Sequence, residues 1–138
     1  MNEYTFNQME VGKEEHFVAI ITEDMMSAFC NISGDINPLH IDSDYAQCQH
    51  FKDRLVYGLL TASFYSTLIG VHLPGKHAML QSLNIKFQKP VFVGDKLNIS
   101  GKITHMSEVY KVVEIKSIIL NQDREKVSTA KITAGLFR

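Results

Sequence analysis

The apolar positions of this chain change period along its length. Phe17-Val18-Ala19-Ile20-Ile21 is a compact run of apolar and β-branched residues, and it predicts a short strand over residues 16–22. Thr22 then fits a helix N-cap, with Glu23 and Asp24 in the first turn, where carboxylates favour the helix dipole. Met25, Phe29 and Ile32 recur at helical spacing, so a helix is expected over residues 23–33, stopped by Gly34. Met25 and Met26 read as core and near-core residues. One short helical turn is expected over residues 44–49. Residues 59–72 predict a long helix, apolar on nearly every face and therefore buried, closed by Leu73-Pro74-Gly75.

From Ala78 onward the period becomes two. Leu83, Ile85 and Phe87 alternate with Asn84, Lys86 and Gln88 as in a half-buried strand, and Pro90 breaks the pattern. After the turn Val93-Gly94-Asp95, Leu97, Ile99 and Ile103 alternate with Asn98, Lys102 and Thr104. Residues 112–120 and 127–137 give two more strands around the polar turn Asn121-Gln122-Asp123-Arg124. All four are expected to be antiparallel neighbours. A strand, then helices, then a run of long strands argues for the α+β class, with one antiparallel sheet wrapped around one buried helix. No internal repeat, low-complexity tract or linker interrupts residues 1–138, which are expected to form one domain.

Composition narrows the function. At 138 residues the chain can bury a real core, hiding roughly two-thirds of its unfolded surface. Its 14 basic and 15 acidic residues are interspersed, with no basic block, which argues against a nucleic-acid partner. Cys30 and Cys48 form no metal-ligand spacing, and the N-terminus lacks the features of a secretion signal, so a reducing cytoplasm is the expected setting. Residues 55–73 carry no charge and are long enough to cross a bilayer. Their polar load, from Tyr57 and Thr61 to Ser66 and His72, argues instead for a buried helix and against a membrane partner.

The chemistry concentrates in Ser33-Gly34-Asp35-Ile36-Asn37-Pro38-Leu39-His40-Ile41-Asp42. On a continuous helix Asp35 and His40 would lie roughly 140° apart, but Asn37 before proline and the preceding Gly34 force the chain to turn. A loop can fold carboxylate and imidazole onto one point, the two side chains most often asked to move protons near neutral pH. The same residue types also make ordinary caps and turns. Asp42 is open to two readings, orienting His40 or starting the next helix. His16, His50, His72, His77 and His105 are scattered without metal spacing and read as surface or packing residues.

The same motif, followed by Arg54-Leu55-Val56-Tyr57-Gly58-Leu59-Leu60, Leu73-Pro74-Gly75, Gln81-Ser82-Leu83-Asn84-Ile85-Lys86-Phe87 and Pro90-Val91-Phe92-Val93-Gly94-Asp95, resembles the MaoC-like (R)-specific enoyl-CoA hydratases. The likeness runs from about Val11 to the C-terminus. It implies a hotdog fold and a homodimer. It also implies hydration of a trans-2-enoyl thioester of coenzyme A or acyl carrier protein to the (R)-3-hydroxyacyl thioester, or the reverse dehydration. The resemblance carries the acid/base pair onto Asp35 and His40, an orienting role onto Asn37, an oxyanion-binding amide onto Gly58 and a substrate-proximal role onto Ser66. No metal or redox cofactor is required. Many relatives have His before the glycine where this chain has Tyr57, which is expected to tune the pocket wall and the acyl-chain preference. A hotdog thioesterase and a non-catalytic acyl-thioester-binding module are the rival readings, and the retained acid/base spacing favours hydration over both.

Overall fold

The computed structural model describes all residues 1–138. The Thr22 hydroxyl accepts from the Met25 N–H at 3.2 Å and opens α1, Glu23–Ser33. Gly34 ends that helix in the left-handed region at φ 70°, its N–H on the Cys30 carbonyl, where a side chain would be strained. The first strand, β1, spans Glu14–Ile20, starting and ending two residues before the expected segment. It begins with Glu14 and Glu15, paired with Lys102 and Gly101, so its start is defined by pairing with a partner strand and not by an apolar run. Two short helices follow, α2 at Pro38–Ile41 and α3 at Ser43–Cys48. The second was anticipated one residue later. The first was not.

The long helix begins one residue earlier than expected. It runs as α4 over Gly58–Thr67 and continues as a π-helical turn over Leu68–His72. Four long strands complete the chain: β2 Ala78–Phe87, β3 Lys96–Ser107, β4 Val112–Leu120 and β5 Lys126–Leu136. All pairings are antiparallel, in the order β1-β3-β4-β5-β2. β3, β4 and β5 form a meander, while β2 crosses to the far edge and pairs with β5, so β2 and β3 are not neighbours.

The inner sheet face packs on the helix. Ile99, Ile103, Ile115, Ile119 and Ile132 are almost fully buried, as are Tyr65, Leu68 and Ile69. Each such side chain is worth about 1.5–3 kcal/mol of burial. Within this apolar layer the Tyr65 hydroxyl and the Ser128 hydroxyl lie 2.8 Å apart, satisfying each other and tying α4 to β5. Burial pushes the Tyr65 phenol up to about 12. At Gly101 on β3 a side chain would come within 2.7 Å of Leu68, so glycine lets the helix sit close against the strand. The result is an antiparallel sheet around a central helix, the α+β hotdog arrangement expected above.

Two faces depart from expectation. The helix is not covered all round: Leu59, Ser63, Ser66 and Gly70 form one exposed stripe, with Leu59 66% exposed. On β2, Leu83, Ile85 and Phe87 point to the inner face, opposite Ile132, Ala130 and Ser128, yet Leu83 and Phe87 remain exposed because nothing in one chain lies over them. No helix of the structure is long and apolar enough to cross a membrane.

Candidate active site

The segment after Gly34 is held by its own side chains. Ser33 Oγ donates to the Phe29 carbonyl at 2.7 Å and accepts from the Asp35 N–H at 3.2 Å. One carboxylate oxygen of Asp35 accepts from the Asn37 N–H at 3.0 Å, and Asn37 Oδ1 accepts from the Leu39 N–H at 3.0 Å. Asn37 thus caps α2, with Pro38 at its first position, and His40 stands on a helical turn rather than in an open loop. Asp42 serves as the N-cap of α3, accepting from the Tyr45 N–H at 3.0 Å, which decides between its two readings.

A different group orients His40. Its Nδ1–H donates to the Leu55 carbonyl at 2.8 Å, so the neutral ring keeps the Nε2 lone pair free. One face of the imidazole stacks on the ring of Tyr57, with centroids 4.2 Å apart and planes 30° from parallel. Tyr57 in turn donates its hydroxyl proton to the Asp35 carbonyl at 2.7 Å and packs on Phe29 with centroids 4.8 Å apart. Burial pushes the Tyr57 phenol up to about 12, helped by the Cys30 thiol beside it and the Asp35 charge.

His40 lies between two depressions. A cavity of about 360 Å³ is lined by His40, Leu55, Gly58, Thr61, Phe87 and Val127, among others. A smaller one of about 220 Å³ is lined by His40, Tyr57, Cys30, Met26 and Arg54, the last paired with Glu23. Gly58 is the first residue of α4, so its amide has no acceptor inside the helix and sits at the positive end of the dipole. The Phe87 ring packs beside Gly58, where a side chain would come within 3.2 Å of Phe87 Cε1. Deeper in the cavity wall, the Thr61 hydroxyl is buried without a hydrogen-bond partner.

The residues singled out from sequence are thus unevenly gathered. His40 and Gly58 share one cavity. Asp35 and Asn37 stand on the exposed α1–α2 turn, and Asp35 shares no hydrogen bond or ion pair with His40; Tyr57 is what joins them. Ser66 lies on the exposed stripe of α4. Tyr57, expected to tune a pocket wall, is buried and lines the second depression and not the first. Leu55, Thr61 and Phe87 were missed. Leu55 acts through a backbone oxygen that has no side-chain signature, whereas Thr61 could have been noticed as a hydroxyl one helical turn beyond Gly58. His72 stacks on Phe17 and His77 packs edge-on to Phe137, while His16, His50 and His105 are exposed, as anticipated for surface and packing residues.

Residues 7–122 match the family model described as "MaoC like domain". The chain is 32% identical over 112 residues to the (R)-specific enoyl-CoA hydratase of Rhodospirillum rubrum, covering 81% of this chain and 78% of that protein. It is also 32% identical over 114 residues to the (R)-specific enoyl-CoA hydratase of Aeromonas caviae, covering 83% and 85%. The solved structure of the (R)-hydratase from A. caviae involved in PHA biosynthesis superposes with a TM-score of 0.89 at 30% identity, covering 93% of this chain and 97% of that one.

Proposed function

The chain belongs to the MaoC-like domain family, and we propose that it catalyses the (R)-specific hydration of a trans-2-enoyl thioester of coenzyme A or acyl carrier protein, or the reverse dehydration. The observation that carries this reading is the pairing of His40, its Nε2 left free by the Leu55 carbonyl, with the unpaired helix-end amide of Gly58 across one cavity.

Hydration requires three operations. A base takes a proton from water as its oxygen bonds to C3, electron density moves from the C2–C3 double bond onto the thioester oxygen, and a proton is delivered to C2. Asp35 and His40 are the pair assigned to both proton movements, with water held between them, and Asn37 orients that segment by capping α2. The Gly58 amide, aided by the dipole of α4, stabilises the enolate oxygen. Apolar groups such as Leu55, Phe87 and Val127 can receive the acyl portion, and Ser66 is assigned a place near its reacting end. No step calls for a metal or a redox cofactor.

The substrate site is completed, in this reading, by a second copy of the chain. β2 offers ten residues of edge strand with one side unpaired, and Leu83 and Phe87 are exposed beside it; antiparallel pairing of β2 with its copy would cover them. Asp35, Asn37 and Ser66 are all exposed in one chain, and a partner laid there would shelter them. Residues 1–138 would act as one domain per subunit.

Incubation with crotonyl-CoA tests the reading. Loss of the conjugated enoyl absorbance without release of thiol supports hydration. Thiol release would mark a thioesterase, and binding with neither change would mark an acyl-thioester-binding module.

A further inference from the structure

We infer that Tyr57 is the positioning residue of the proton-transfer pair, holding Asp35 and His40 in one register although their side chains do not bond to each other. The inference rests on the assignment of that pair made above. Three observations support it. The Tyr57 hydroxyl donates to the Asp35 carbonyl at 2.7 Å, which fixes the backbone from which the carboxylate projects. Its ring stacks on the imidazole of His40 at 4.2 Å, which, together with the Leu55 carbonyl on Nδ1, fixes the plane of the ring and aims Nε2. And the side chain is only 2% exposed, clamped from behind by Phe29, so it has no freedom of its own to lose.

The chemistry of the phenol suits this task. With its pKa held up at about 12 by burial, the hydroxyl keeps its proton across the working pH range and remains a donor throughout. The other group on the Asp35 carbonyl is the Cys30 thiol at 3.6 Å, a weak donor that could not replace it. A histidine here would also carry an N–H donor, but its ring nitrogens lie closer to the backbone than a phenol hydroxyl, so the bond to the Asp35 carbonyl depends on the longer reach of Tyr57.

The test compares Tyr57→Phe, which keeps the ring and removes the hydroxyl, with Tyr57→Leu, which removes both contacts. Tyr57→Phe is expected to lower kcat about five- to tenfold with KM for crotonyl-CoA within about twofold, as loss of one buried hydrogen bond predicts. In an Asp35→Asn background the same change is expected to have no further effect, because the group it positions no longer works. A Tyr57→Phe enzyme with full kcat, or losses that multiply fully in the double variant, would overturn the inference. Imidazole 15N spectra give a readout that does not depend on turnover. Wild-type His40 is expected as the single Nδ1–H tautomer and Tyr57→Leu as a mixture; an unchanged single tautomer in Tyr57→Leu contradicts the brace. If that variant does not fold, the same spectrum of Tyr57→His supplies the comparison. A wild-type protein that shows the fixed tautomer but no hydratase activity would defeat the functional assignment while leaving the brace standing.

Discussion

His40 donates its Nδ1 proton to the carbonyl of Leu55 at 2.8 Å, and the Leu55 N–H donates back to the carbonyl of Leu39 at 2.9 Å. This reciprocal pair pins α2 to the segment that leads into α4. It keeps His40 beside the Gly58 end of the helix and leaves Nε2 as the one ring nitrogen able to take a proton. His40→Ala and Asp35→Asn are each expected to reduce crotonyl-CoA hydration at least ~100-fold, the lower range for positioned acid/base groups. Both should fold normally, judged by circular dichroism and thermal melts, since neither side chain belongs to the core. Near wild-type turnover in either variant would remove that residue from the mechanism.

Gly58 and Phe87 form a second linked pair. Adding a methyl group at Gly58 brings it to 3.2 Å from Phe87 Cε1, closer than ordinary contact, so either the ring or the helix start must shift. Gly58→Ala is expected to lower kcat/KM about tenfold or more, because an oxyanion donor displaced by a fraction of an ångström loses much of its worth. Phe87→Ala in the same chain gives the methyl room and should restore part of the loss. Strict additivity of the two changes in a double-mutant cycle would show that the contact has no bearing on the site.

The exposed inner side chains of β2 predict a homodimer. Multi-angle light scattering of the purified protein is expected to give twice the chain mass. Leu83→Lys, which places a charge on the exposed inner face next to the unpaired edge, should shift the mass towards the monomer and lower activity with it. An active monomer at assay concentration would refute the dimer.

Stereochemistry follows from fixed donors. His40 and the Gly58 amide are both held on helical elements, and donors fixed in this way would offer water to one face of a bound enoyl group. Chiral chromatography of the crotonyl-CoA product is expected to show the (R)-3-hydroxyacyl thioester. A predominantly (S) product would contradict the assignment even if Asp35 and His40 proved essential.

Tyr65 makes a prediction about pH. Its phenol is raised to about 12 in the folded chain by burial, against an ordinary value near 10 in an unfolded one. The neutral phenol is the form the fold favours, so its contribution to stability is fully present below pH 10 and is lost as pH rises from there through 12. Urea denaturation midpoints are expected to fall across that window. Tyr65→Phe should be less stable at neutral pH, because Ser128 loses its partner, yet should lose less on going from pH 10 to 12. Equal alkaline slopes in the two proteins would show that Tyr65 ionises freely when folded.

Much of this architecture could be read from local signals. Thr22 and Gly34 bound α1 because capping and left-handed backbone are properties of single residues. The alternation in β3 to β5 announces their inner faces in the same way. What could not be read depends on distant partners: that β2 pairs with β5, and that one stripe of α4 is left uncovered, since an uncharged sequence says nothing of which side is packed. The site divides along the same line. Asp35 and His40 are conspicuous as side chains, whereas the role of Gly58 was implied only by the family resemblance and the helix start lies one residue before the expected one. The Leu55 carbonyl was hidden because every residue has one, and the reach of Tyr57 to the Asp35 backbone depends on how α1 and α4 approach each other.

β2 carries both an unpaired edge of the sheet and, in Phe87, the ring that packs beside Gly58. If β2 pairs with its copy, a strand with both roles would make turnover per enzyme molecule sensitive to dilution. Below the concentration at which two copies separate, the cavity would lose its outer wall and Phe87 its restraint, and rate would fall faster than enzyme concentration. Dilute assays would then gain rate on adding an inactive His40→Ala chain that can still lend its edge.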